Sequence, residues 1–166
     1  MYTILSGTNR TDSKTITIAR QYQTLLAEQN IHANLVSLVG LEVDTRNDQI
    51  RELEKTTLIP TTKFIFVSPE YNGSIPGVLK SLIDNTDIEK VWWGKKALLV
   101  GVSTGRAGNL RGMEHLTGIL NYVKMVVHPN KLPISVVHKL LNEQGVLADP
   151  GTLSVIREQL NEFILF

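Results

Sequence analysis

Cysteine is absent from this 166-residue sequence. Its absence removes disulfides, a thiol nucleophile and every cysteine metal site, so redox chemistry would have to come from a bound cofactor. No apolar run approaches the about 18 residues that span a bilayer, and Met1-Tyr2 passes straight into an apolar segment without a charged leader. The expectation is a cytoplasmic protein with no membrane partner. A charge excess is also missing, since 17 basic and 16 acidic residues leave a net charge of +1. Such a balance gives no broad positive field for phosphate neutralisation, which argues against nucleic acid as a partner. His32, His115, His128 and His138 show no H-E-x-x-H spacing, and Ser68 precedes a proline instead of sitting in a G-x-S-x-G elbow. Neither a metal site nor a hydrolytic triad is expected. At 42% hydrophobic and 20% charged residues, the composition suits one globular domain over residues 1–166.

What is present is a repeated unit of apolar strand, polar loop and helix. Tyr2 to Ser6 reads as a strand, Gly7 to Thr15 (G-T-N-R-T-D-S-K-T) as a loop, and Ile16, Ala19, Tyr22, Gln23 and Leu26 as a helical face. The loop is rich in hydroxyls, carries Arg10 and Lys14, and stands where the unpaired N–H groups of a helix start point outward. It matches neither G-x-x-x-x-G-K-[ST] nor G-x-G-x-x-G, so a monophosphate is the better ligand. The alternative is an N-capped surface helix, with Ser13 as cap and Arg10 solvated.

Ala33 to Leu38 reads as the second strand, and Arg46 to Thr57 as a charged surface helix without chemistry. Lys63 to Ser68 is a third strand, apolar enough to be covered on both faces. It stops at Pro69 and opens the run F-V-S-P-E-Y-N-G-S-I-P-G-V-L-K-S-L-I-D. Within that run Asn72-Gly73 is a turn signal and Ser74 a helix cap; Pro76 falls in the first turn, and Val78, Leu79, Leu82 and Ile83 share one face. Trp92 and Trp93 read first as core, with an interface or a site rim as the other reading. Ala97 to Ser103 is a fourth buried strand, followed by the small-residue loop S-T-G-R-A-G-N-L-R-G and a helix with Leu110, Met113, Leu116, Leu120 and Val123 as its apolar face. His128-Pro129-Asn130 splits or bends the last strand region, Asn142 to Gly145 is a turn, and a final helix starts at Thr152 with Leu153, Ile156, Leu160, Phe163 and Ile164 buried. Strands alternating with helices imply a parallel sheet with helices on both faces, five strands in the order 2-1-3-4-5. The loops after strands 1, 3 and 4 then meet at the carboxyl edge, where ligands of such sheets bind.

The run S-P-E-Y-N-G-S-I-P-G-V-L-K-S-L-I-D resembles the signature of the NADPH-dependent FMN reductase family, the flavodoxin-like quinone, chromate and azo-dye reductases. The first loop is similar to that family's G-S-x-R-x-x-S-x-N: Gly7, Thr8, Arg10 and Ser13 match, and Thr15 stands where Asn is usual. The chain also departs after Asp84, where Asn85 and Thr86 replace the usual aromatic. The resemblance implies a flavodoxin-like three-layer α/β/α sandwich. It implies FMN held by Thr8, Arg10, Ser13, Lys14 and Thr15 in the first loop, Pro69, Glu70, Tyr71, Asn72 and Gly73 in the second, and Ser103, Thr104 and Gly105 in the third. The N–H groups of Glu70 to Gly73 are expected along the ring edge, where reduced flavin gathers negative charge. NADPH or NADH is the implied donor, and a quinone, azo compound, metal oxyanion or flavin the acceptor, in a ping-pong cycle without a catalytic side chain. The implied assembly is a homodimer or homotetramer. Arg106 and Arg111 are candidates for a nicotinamide-cofactor phosphate, or else solvated loop residues. Two other readings stay open. One is a flavodoxin-type electron carrier or redox-responsive interaction module; such carriers are usually acidic and have a T-x-T-G-x-T loop, which this chain lacks. The other is a flavodoxin fold that binds no flavin.

Overall fold

The computed structural model describes residues 1–166. Its sheet is built from β1 (Tyr2–Ser6), β2 (Ala33–Ser37), β3 (Lys63–Pro69), β4 (Lys96–Val102), β5 (Val126–Val127) and β6 (Leu132–Ile134). All pairings are parallel, in the order β2-β1-β3-β4-β5, and β6 also pairs with β4. The expected order is therefore found, with one refinement. Two short strands share the fifth position: β5 lies beside Lys96 and Ala97, while β6 lies beside Val100 to Val102. The break is His128-Pro129-Asn130, where proline supplies no ladder donor.

Side-chain alternation on the central strands divides the core into two layers. Phe64, Phe66, Ala97 and Leu99 face one way, under α2 (Asp48–Leu53), α3 (Gly77–Asp84), α4 (Ile88–Val91) and α5 (Leu110–Tyr122). Ile65, Val67, Leu98 and Val100 face the other way, under α1 (Lys14–Glu28) and α6 (Pro150–Leu165). This is the three-layer sandwich of the flavodoxin-like class. Trp92 is fully buried between Phe64 and Phe66, and its indole N–H donates to Thr86 Oγ1 at 2.9 Å. Trp93 is 40% exposed, with the Lys124 ammonium 3.5 Å above its ring. The core reading thus holds for the first tryptophan and fails for the second.

Several boundaries differ from the sequence reading. The charged segment of residues 46–57 contains only a short helix, which widens into a π-helical turn at Glu54–Leu58. Buried Glu54 lies inside that turn because Arg46 donates to both of its carboxylate oxygens and the Asp87 N–H to one of them. The helix α6 begins at Pro150, capped by Asp149, two residues before Thr152. Leu110 is 53% exposed, so the buried face of α5 starts at Gly112 and Met113.

Lysines close the amino edge of the sheet. Lys63 donates to the carbonyls of Phe163 and Ile164 near the end of α6, and Lys96 to that of Phe166. Lys95 donates at 2.8 Å to the carbonyls of Leu58 and Ile59 at the end of the π turn. Burial lowers its pKa to about 8. With structural cations gathered at this edge, the opposite edge carries the candidate site.

Candidate functional site

Three loops rise from the carboxyl ends of β1, β3 and β4, on either side of the point where the winding reverses. Gly7 lets the first loop leave close to β3: its N–H donates to the Val67 carbonyl at 2.8 Å, and a Cβ there would lie 3.2 Å from the same oxygen. Thr8 is buried and bonds Tyr71 Oη across the gap at 2.5 Å. The Arg10 guanidinium lies 4.1 Å from the centre of the Tyr71 ring. First and second loops are thereby tied together at two points.

Ser13 caps α1, its Oγ accepting from the Ile16 N–H, the role that the alternative reading of this loop gives it. The N–H groups of Thr11, Asp12, Ser13, Lys14 and Thr15 find no acceptor in the chain. No acidic residue occupies the first helical turn. A run of unpaired donors at the positive end of a helix dipole, flanked by Arg10 and Lys14, has the chemistry that favours an anion such as a phosphate.

The second loop is a two-residue hairpin. Tyr71 and Ser74 exchange backbone hydrogen bonds of 2.9 and 3.1 Å around Asn72 and Gly73, whose φ values of 52° and 78° make the turn type I′. Ser74 is consequently not the cap of α3. Its backbone closes the hairpin, its Oγ pairs with His115 Nδ1 at 2.9 Å, and Pro76 takes the cap position. The donor count also changes. Glu70 N–H is spent on the Val102 carbonyl at 3.0 Å and Tyr71 N–H on Ser74, so only Asn72 and Gly73 keep free N–H groups.

The third loop is held from outside the three-loop set. Val136 and Val137 donate their N–H groups to the carbonyls of Gly105 and Ser103, and Ser135 Oγ donates to that of Arg106. Ser103 Oγ is occupied within the loop, donating to the Gly105 carbonyl and accepting from the Gly108 N–H.

Between these loops lies a cleft of about 300 Å³. Nine expected residues line it: Arg10, Ser13, Lys14, Thr15, Pro69, Glu70, Tyr71, Ser103 and Thr104. Thr8 lies beneath, bonded to Tyr71; Asn72 and Gly73 form the hairpin tip, and Gly105 follows Thr104, so none of these four reaches the lining. The sequence reading missed Thr11, Asp12, Val102 and Val137 as wall residues. Thr11, Asp12 and Val102 adjoin motif positions and were within its reach; Val137 arrives from a 3-10 turn after β6 and has no local signal. Arg106 and Arg111 pair with no carboxylate, and Arg111 Nη1 comes within 3.8 Å of a Cβ built on Gly73. A larger cleft of about 540 Å³ runs between α3 and α5 past Ile83, Ile88, Ile119 and Tyr122. No residue of the three loops lines it, and it has no comparable run of free donors, so the smaller cleft is the better candidate for chemistry.

The same stretch of chain carries the relationship to known proteins. An NAD(P)H-dependent FMN reductase of Pseudomonas aeruginosa is 36% identical over 107 residues, 61% of this chain and 57% of that protein. A 2-hydroxy-1,4-benzoquinone reductase of a Burkholderia species is 28% identical over 75% of this chain and 72% of its own length. The matched region thus spans between about half and three quarters of the length of these relatives. In structure, a flavoenzyme NAD(P)H:(acceptor) oxidoreductase from Paracoccus denitrificans superposes with a TM-score of 0.82 at 22% identity, over 98% of this chain and 94% of that one, which establishes a shared fold. The model of the family described as NADPH-dependent FMN reductase matches residues 2–139, a range that contains β1 to β6 and all three loops, and the chain belongs to that family.

Proposed function

We propose that the three-loop cleft binds FMN and that the protein is an NAD(P)H-dependent flavin oxidoreductase acting on small acceptors such as quinones, azo compounds, metal oxyanions or free flavins. The carrying observation is the run of free N–H groups from Thr11 to Thr15 beside Arg10 and Lys14, which fits one phosphate and is wasted on any neutral ligand. At the hairpin tip next to Tyr71 of the facing wall, Asn72 and Gly73 offer two free donors for the polar edge of a flat ring that extends past the wall. When bound, FMN supplies the two-electron relay between reduced nicotinamide and acceptor.

The chain's own contribution is positional and electrostatic. Thr8, Arg10 and Tyr71 hold two walls of the cleft at a fixed spacing. The Asn72 and Gly73 N–H groups favour an electron-rich ring edge over a neutral one. Arg106 and Arg111, unpaired beside the mouth, attract anionic donors and acceptors. No side chain is assigned a proton-transfer role. With one cleft serving donor and acceptor in turn, the cycle is ping-pong. The proposed compartment is the cytoplasm, where reduced nicotinamide is available; no helix is long and apolar enough to cross a membrane. The proposed assembly is a homodimer or homotetramer, supported by the apolar α3–α5 cleft and by Tyr122, which is 87% exposed on its rim.

The test is a purified yellow protein whose NADPH or NADH oxidation depends on an added quinone. Initial rates over a grid of both substrates are expected to give parallel double-reciprocal lines; intersecting lines would call for a second acceptor site. Bound FMN without nicotinamide turnover would return the reading to an electron carrier.

A further inference from the structure

Asn109 occupies the N-cap position of α5 without capping it. It is fully buried, and its backbone is left-handed at φ 64°. Its side-chain amide donates to the carbonyls of Ser68 at 2.9 Å and Pro69 at 3.0 Å, some forty residues back in the chain. Two carbonyl acceptors fix which way the amide faces. Its Oδ1 is left buried without a partner. Room for this side chain is made by two glycines: a Cβ on Gly112 would lie 2.0 Å from Asn109 Oδ1, and one on Gly101 would lie 3.0 Å from Asn109 Cβ. A left-handed non-glycine residue and an orphaned acceptor both cost stability, and a helix cap made by the same Oδ1 would have recovered part of it. What the arrangement gains is a tether at the root of the Tyr71–Ser74 hairpin, which begins two residues after the Pro69 carbonyl it holds. Strain of this kind gathers where a site is over-determined.

We propose that Asn109 is the positioning residue of the second loop: through Ser68 and Pro69 it fixes the base of the hairpin, so that Tyr71 keeps its place in the cleft wall and the free Asn72 and Gly73 N–H groups, just beyond that wall, keep their place at its rim. The assignment rests on the FMN reading above. Glu70 continues the sheet for one further hydrogen bond to Val102, and beyond it the hairpin's only side-chain hydrogen bond onto α5 is the exposed Ser74–His115 contact. The exposed contact competes with water; the buried amide does not. The tether therefore acts on the difference between oxidised and reduced cofactor, because the two free donors favour the electron-rich ring.

Asn109→Gly tests this, since glycine keeps the left-handed backbone and removes the amide. Expected are a nearly unchanged affinity for oxidised FMN and about tenfold weaker binding of the reduced form. The midpoint potential of the bound flavin then falls by about 30 mV, the tenfold change for a two-electron couple. The flavin absorption band should shift, and amide hydrogen exchange at residues 71–74 of the apo protein should speed up. Asn109→Asp, which keeps the shape and replaces both donors with acceptors, should lower the potential at least as far. A potential and spectrum equal to wild type in a folded variant overturns the assignment, whatever happens to the melting temperature. If the wild-type protein takes up no FMN, the functional reading fails instead. The apo exchange comparison then still decides the tether: unchanged exchange at 71–74 refutes it.

Discussion

Arg10 works on two neighbours at once, stacking on Tyr71 while standing beside the free donors at the start of α1. Replacing it with alanine is expected to weaken FMN by about 1.5 to 3 kcal/mol, the range for a hydrogen bond to a charged group, and riboflavin by much less. Titration of both flavins checks this, and equal losses would detach the loop from the phosphate. Gly73 makes a different demand. A Cβ there meets nothing closer than Arg111 Nη1 at 3.8 Å, so Gly73→Ala pays only for its φ of 78°. The expected cost is about 1 to 2 kcal/mol, read from the urea midpoint of the apo protein. Residues of this kind are legible in sequence because their roles are local: Asn72-Gly73 announces a turn, though not its hairpin, and Ser13 offers a cap as one of two readings. Asn109 is illegible for the opposite reason. Its partners lie 40 and 41 positions away, and no residue adjacent to it in sequence announces them.

At the scale of elements, lysines do the work that C-terminal caps usually do. Lys95 holds the end of the π turn while burial brings its pKa from 10.5 to about 8. Between about pH 8 and 10.5 the unfolded chain keeps a proton that the folded chain has released, so this group's contribution raises stability as pH climbs through that window. Below pH 8 both states carry the proton, and the penalty for burying it is constant. Urea unfolding of wild type and Lys95→Met should show the wild type gaining on the variant from pH 7.5 to 9.5; a constant gap would mean that the ammonium is not desolvated. The sequence showed every main helix and strand through its apolar spacing, including the interrupted fifth position. It misplaced ends wherever a distant contact decided them. Ser74 was drawn off the start of α3 by the hairpin and His115, and the helix at residues 46–57 gave way to a π turn built around the Glu54–Arg46 pair.

For the whole molecule, the proposed assembly sets a second copy on the α3–α5 face. Its cleft sets Ile83, Ile88 and Ile119 beside Lys80, Asp84, Glu114 and His115, an apolar floor with charges of both signs at its rim. Light scattering at micromolar concentration is expected to give a dimer or tetramer, and Tyr122→Glu to shift the mass toward the monomer without loss of fold. A wild-type monomer with full activity would remove assembly from the proposal. Strand order was legible because alternating strands and helices leave few topologies. The face proposed for assembly was not, since an exposed Tyr122 reads from sequence as one more turn of an amphipathic helix.

Trp92 and Trp93, adjacent in the chain, divide its fluorescence between interior and surface. Trp92 sits in the aromatic layer with Phe64 and Phe66 and emits from an apolar environment; Trp93 meets solvent beneath the Lys124 ammonium, a charge that draws iodide toward it. Iodide added to the native protein should therefore extinguish the red side of the emission and leave the blue side standing until denaturant opens the layer below. One cuvette then reports two events, loosening of the surface and loss of the core, without any label being attached.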